Sequence, residues 1–150
     1  MVSAQMAWTG GRRFMVQGGG GGSVEVLAGP RSAEEAAAMR PKELVLAGLA
    51  TCSGVDVVLI LERMRVAVER FEVSVEADET DGQPKVFSQV RMAYRLWGAD
   101  LSPRRAARAV RLSQDQYCGV AAMLRPAAPI ACSLEVNGQP VAVEAETAEE

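Results

Sequence analysis

From Ala4 to Val16 apolar positions alternate around Trp8, the pattern of a strand, with a break at Gly10-Gly11. Five consecutive glycines, Gly18 to Gly22, predict a flexible hairpin tip, and Ser23 to Leu27 a short returning strand. Ser32 to Arg40 is rich in alanine and glutamate and fits a helical turn or a surface loop. Pro41 to Arg65 predicts the dominant helix. Pro41 suits its first position, and Leu44, Leu49, Val55, Leu59 and Met64 fall on nearly every face. A helix apolar all round is expected to be covered by other elements. At 1.5 Å per residue it would be roughly 35 Å long, which suggests a helix shared between subunits.

Two further alternating stretches follow, Phe71 to Ala77 and Val86 to Trp97, separated by Asp81-Gly82. Ser102 caps a second predicted helix with Pro103 in its first turn, and its arginines at 104, 105, 108 and 111 form a solvated face. A third helix is expected over Gln116 to Leu124, begun near Ser113 to Asp115. Ile130 to Val136, an Asn137-Gly138 turn and Val141 to Glu146 close the chain as a hairpin, and 147–150 is a fraying tail. The order is strands, long helix, strands, two helices, strands. It predicts an α+β fold of antiparallel hairpins with segregated helices, in a single domain over 1–150.

Composition narrows the function classes. Sixteen basic residues are scattered among nineteen acids, for a net charge of −3, so there is no electrostatic footprint for nucleic acid or an anionic membrane. The apolar run Leu44 to Leu61 is interrupted by Asp56 and small polar residues, and is read as falling short of a membrane span. The N-terminus lacks the order of a secretory signal, so a cytoplasmic protein is expected. The glycine run is not followed by Lys-Ser/Thr, which argues against a phosphate-binding loop.

Histidine is absent, which removes Ser-His-Asp and Cys-His catalysis and most zinc sites. Three cysteines in a chain with no sign of secretion point away from structural disulfides. Cys52 lies within the long helix and Cys118 in the first turns of a later one. Each is open to two readings, a small buried apolar residue or a reactive thiol, and nothing local decides between them.

The stretch Pro41-Lys-Glu-Leu-Val-Leu-Ala-Gly-Leu-Ala-Thr-Cys52, followed by Asp56-Val-Val, resembles the first cysteine motif of the OsmC/Ohr family (osmotically inducible protein C and organic hydroperoxide resistance). Tyr117-Cys118-Gly-Val is similar to its second. Between them Pro84-Lys-Val-Phe, Tyr94-Arg-Leu-x-Gly, Leu101-Ser-Pro and Ala109-Val-x-Leu-Ser match the same family in order and spacing. The resemblance covers roughly residues 8 to 136, and its wording is closest to a poorly characterised bacterial branch.

The resemblance implies an intertwined α+β homodimer, with antiparallel sheets wrapped around long central helices. It implies a peroxidase for organic hydroperoxides in which Cys52 is the attacking thiolate. Cys118 would resolve it as a disulfide that an external dithiol reduces. It implies no metal and no organic cofactor. Arg12, in Thr9-Gly-Gly-Arg12, resembles the arginine that accompanies the thiolate, although adjacent Arg13 competes for the role. The family's partner glutamate stands ten residues before the first cysteine, where this chain has Lys42. Glu43 is one place later, a rotation of about 100° on a helix. The displaced glutamate motivates an alternative, a binding or redox-responsive protein with little peroxidase turnover. An apolar pocket near Cys52 would draw on Tyr117 and Met123, though methionine on an apolar helix is ordinarily core. Cys132 matches nothing in the family pattern and is read as a packed strand residue.

Overall fold

The computed structural model describes residues 1–29 and 38–143. The chain forms two compact units, Met1–Val45 and Leu46–Glu150.

The first unit is a three-stranded antiparallel sheet in the order β1-β2-β3, with β1 Ala4–Gly10, β2 Arg13–Gly18 and β3 Ser23–Leu27. The expected break at Gly10-Gly11 is the β1–β2 turn, where both glycines have positive φ (113° and 55°), a region that side-chain-bearing residues avoid. The glycine run makes the β2–β3 turn, closed by Gly18 N–H to Gly22 O at 2.8 Å. Most of the Ser32 to Arg40 segment lies outside the described residues; Met39 pairs with Val26 beside β3.

Helix α1, Pro41–Arg63, starts at the expected proline and stops two residues earlier than expected. Arg65 adopts a positive φ of 56°, and the Arg105 guanidinium donates to the Met64 carbonyl at 3.4 Å just past the helix end. Within the second unit α1 is not covered on every side. Leu49, Ser53, Val57, Ile60 and Leu61 are buried, whereas Val55, Val58 and Leu59 are exposed. By length and composition alone α1 would suffice to cross a membrane, a property it shares with the core helices of globular proteins. Its small polar residue Ser53 is used inside the fold instead.

The second sheet has the order β4-β5-β6-β7, with β4 Arg70–Glu79, β5 Phe87–Trp97, β6 Ile130–Val136 and β7 Gln139–Val141. β4–β5 and β6–β7 are antiparallel, but β5 and β6 run parallel. The expectation of purely antiparallel sheets is therefore corrected. Between these strands lie α2 (Pro103–Leu112), a π-helical turn (Ser113–Tyr117) and α3 (Gly119–Leu124), and a connection of that length can cross over and return in the same direction. Ser102 caps α2 through Arg105 N–H, as expected. Arg104, Arg105 and Arg108 lie on its exposed face. Asn137 and Gly138, with φ of 50° and 78°, form the predicted hairpin turn. The Asn137 side chain also bonds both backbone groups of Gly98 at 3.0 and 3.1 Å.

Period-two burial puts Val90, Met92, Tyr94 and Leu96 of β5 on the inner face, beside Cys132, Leu134 and Val136 of β6. Ala106, Ala107, Ala109 and Val110 of α2 and the buried face of α1 complete the core. A polar cluster lies inside it. Ser53 Oγ is 2.6 Å from the Tyr94 hydroxyl and 2.8 Å from Ser113 Oγ. Gln114 Nε2 donates to Tyr94 at 2.7 Å and to Ser53 at 3.2 Å. Four side chains thus tie α1, β5 and the π turn at one point, and among the described residues every buried side-chain nitrogen and oxygen has a partner.

Leaving a buried donor unpaired costs about 1–3 kcal/mol. Tyr94→Phe strips the acceptor from Gln114 while keeping the ring stacked on Phe71 (centroids 6.5 Å apart). The expected outcome is a lower urea midpoint by that amount with an unchanged m-value; an unchanged midpoint would contradict the role given to this cluster.

Candidate active site

Cys52 and Asp56 stand one turn apart on α1, so both project from one helix face. Cys118 reaches them from the far side of the π turn. Its N–H bonds the Ser113 carbonyl at 2.8 Å, a five-residue spacing, and the chain then turns extended at Cys118 before α3 begins. Cys118 is therefore the cap of α3 rather than a member of it, as the sequence had suggested. Its Sγ accepts the Ala121 N–H at 3.4 Å. The two sulfurs and an Asp56 carboxylate oxygen all lie within 4.8 Å of one another. Cys118 is only 3% exposed, and Cys52 is half-buried.

The buried cluster next to this trio has a direction. Arg125, at the end of α3, donates to the Gln114 carbonyl and to Gln114 Oε1 at 3.0 and 3.2 Å. That fixes the amide with Nε2 facing Tyr94 and Ser53. The Tyr94 hydroxyl accepts from Gln114 and shares a hydrogen bond with Ser53, which shares another with Ser113; in each of the two either oxygen can donate. Ser113 Oγ then donates to Asp56 Oδ2 at 3.3 Å or to the Ser53 carbonyl at the same distance. A hydrogen-bonded network therefore extends from the Arg125 guanidinium to within reach of the Asp56 carboxylate.

Burial pushes the Cys118 thiol up to about 11; the Ala121 N–H pulls it back, and Cys52 and Asp56 beside it push it further up. Among the described residues, none of the groups acting on Cys118 is a cation. Burial likewise raises Cys132 to about 11, against the pull of Arg125 and a hydrogen bond with Tyr94. Cys132 packs against the core, as expected of a strand residue.

The remaining expected site residues have local roles. Arg12 occupies the β1–β2 turn with its side chain over Gly29, where a Cβ would come within 2.7 Å of Nη1. Arg13 pairs with Glu25 across β2 and β3. Glu43 Oε2 accepts the Arg40 N–H at 2.9 Å, the backward half of a capping box at the start of α1. Arg12 and Glu43 belong to the first unit, and the cysteines to the second. Tyr117 and Met123 are largely exposed (55% and 72%), so Met123 is not a core residue.

Sequence reasoning did not pick out Asp56 or the serines at 53 and 113. The available signal was an ionisable residue one turn after a cysteine inside an apolar helix, a position that needs polar partners to be tolerated.

The chain matches the family described as OsmC-like protein over residues 33–133. It is 33% identical over 135 residues to Protein YhfA of Escherichia coli strain K12, covering 90% of this chain and 98% of YhfA. A hypothetical protein from Aquifex aeolicus VF5 superposes with a TM-score of 0.80 at 24% identity, over 91% of this chain and 96% of that one. The organic hydroperoxide resistance protein OhrB of Bacillus subtilis superposes with a TM-score of 0.65 at 16% identity, over 90% and 98%.

The raised thiols carry a pH signature. A folded-state value near 11 against an ordinary 9.0 means that the unfolded chain loses its proton first. The stabilisation is fully present below pH 9 and is lost as pH rises toward 11. Urea midpoints are expected to fall across that interval, and to fall less steeply in Cys118→Ala/Cys132→Ala. A flat profile in the parent would contradict the burial of both groups.

Proposed function

We propose that this chain, which belongs to the OsmC-like protein family, is a thiol peroxidase acting on organic hydroperoxides as a homodimer in a reducing, cytoplasmic compartment. The observation that carries this reading is the approach of two thiols to within 4.8 Å in one site, one half-buried and one buried. The more accessible Cys52 attacks as the thiolate. The distal peroxide oxygen is transferred to sulfur, leaving Cys52 as the sulfenic acid and releasing the alcohol once the departing alkoxide gains a proton. Cys118 then attacks the sulfenic sulfur. The disulfide forms, and the hydroxyl leaves as water with the Cys118 proton; two electrons from an external dithiol restore the pair. A thiol pushed up to about 11 is a poor first attacker at neutral pH, which leaves the peroxide to Cys52. The name of the Bacillus subtilis OhrB, organic hydroperoxide resistance protein, supports the substrate class.

A second copy of the chain is the expected cover for the exposed face of α1. Val55, Val58 and Leu59, with Ala50, Gly54, Phe71 and Val73, line a groove of 420 Å³ against β4, and large apolar patches of this kind mark interaction sites. Arg12 is proposed as the basic partner of the Cys52 thiolate. One observation favours the alternative, a redox-responsive protein with little turnover: Glu43 is engaged in capping α1, at the helix position next to the one where the family's glutamate stands.

Single-turnover assays with an organic hydroperoxide separate these readings. Cys52→Ser is expected to abolish consumption, while Cys118→Ser consumes about one equivalent and stalls. Mass spectrometry of the oxidised parent should find a Cys52–Cys118 bridge; a bridge through Cys132, or negligible consumption by the parent, contradicts the peroxidase. Sedimentation is expected to give a dimer that Val58→Asp dissociates. A stable monomer at micromolar concentration contradicts the dimer.

A further inference from the structure

Two thiols and a carboxylate converging on one point are also a ligand set. We propose that the reduced chain binds a zinc-class divalent ion through Cys52 Sγ, Cys118 Sγ and the Asp56 carboxylate, with a fourth position left open. The inference rests on reading Cys52 and Cys118 as a working pair, and concerns what that pair does between oxidation events.

The geometry supports it on three grounds. The donor atoms already lie within 4.8 Å of one another. A tetrahedral ion with Zn–S of about 2.3 Å and Zn–O of about 2.0 Å sets its donors roughly 3.5–3.8 Å apart, so side-chain rotations of about an ångström complete the site. Two donors are fixed at helical spacing on α1 and the third is held at the cap of α3. The outer shell is in place as well. The Ser113 hydroxyl stands 3.3 Å from Asp56 Oδ2, within donating reach, and the Ala121 N–H holds the Cys118 sulfur. Finally, two soft donors and one hard one select a borderline ion such as Zn²⁺ or Co²⁺ over Mg²⁺ or Ca²⁺. The absence of histidine does not remove a site of this composition.

Binding exchanges two thiol protons for the ion, giving a bis-thiolate complex and two protons released to solvent. Oxidation by a hydroperoxide reverses this. The bis-thiolate complex, one hydroperoxide and two protons give the disulfide, the alcohol, water and the free ion. The ion-bound and disulfide states therefore exclude each other, and the bound ion masks the nucleophile until it is displaced.

The test uses the full-length, chelator-stripped, reduced protein titrated anaerobically with Co²⁺, read by its thiolate charge-transfer and d–d absorption and competed with Zn²⁺. One Co²⁺ per chain is expected, and oxidation of the same sample to the disulfide should release it. Cys52→Ser and Cys118→Ser should each lose the charge-transfer signal of a two-thiolate site, Cys132→Ser should keep it, and Asp56→Asn should shift the d–d bands. Ser113→Ala should weaken binding by about 10–100-fold, with far-ultraviolet circular dichroism confirming the fold. Absence of Co²⁺ binding, binding that survives oxidation, or spectra unchanged by Asp56→Asn overturns the proposal. The parent's release on oxidation needs no variant, so a misfolded mutant cannot obscure the result. Hydroperoxide consumption by the metal-free protein is measured separately. Consumption without Co²⁺ binding overturns this inference alone, and Co²⁺ binding without consumption overturns the peroxidase alone.

Discussion

Ser53 is the residue on which the second unit turns. Its hydroxyl is fully buried and meets groups from two other elements, the phenol of Tyr94 on β5 and the hydroxyl of Ser113 at the start of the π turn. A buried hydroxyl without partners is costly, so the hydrogen bonds require α1 to sit at one rotation and one height against the sheet. The apolar core around it, built from alanines, valines and leucines, supplies the bulk of the burial but sets that alignment less sharply. Cys52 is the next residue back along the helix, and Cys118 lies at the far end of the turn that Ser113 opens. The polar cluster therefore sets the distance between the two sulfurs as a consequence of satisfying its own groups.

The same cluster explains why an aspartate is tolerated on an apolar helix. Asp56 stands at the edge of a hydrogen-bonded network that includes the Arg125 guanidinium, with the Ser113 hydroxyl in reach of its carboxylate. The carboxylate also helps keep Cys118 protonated, together with burial, which contributes more. With no histidine in the chain, any positive charge at the thiols has to come from an arginine, a lysine, a helix terminus or a bound ion. That requirement connects the proposed role of Arg12 with the proposed metal site: both supply a cation to a place that otherwise holds sulfur and carboxylate.

Much of the secondary structure was legible from local pattern. Ser23–Leu27 and Ile130–Val136 were delimited by alternation, the helix start by Pro41, the second helix by Ser102-Pro103 and the last turn by Asn137-Gly138. What pattern could not give was pairing. The alternating signatures of β5 and β6 are the same whether the strands run parallel or antiparallel, and only the long helical connection between them hinted at the direction. Nor did periodicity reveal the π turn, because one extra residue shifts Cys118 from helix interior to cap without altering composition. The cysteines were found through their motifs. Asp56, Ser113 and Gln114 were not singled out, since a polar residue acquires its role only when the fold supplies its partner.

The most direct measurement of the account is the equilibrium between the Cys52–Cys118 dithiol and glutathione, compared between the parent and Ser53→Ala. If the buried hydroxyl sets the spacing of the sulfurs, the parent should close the bridge with a high effective concentration. Removing a hydrogen bond of about 1–1.5 kcal/mol should lower that value roughly tenfold while Cys132→Ser leaves it unchanged. An effective concentration unaltered by Ser53→Ala, or a parent that forms only mixed disulfides with glutathione, would contradict it.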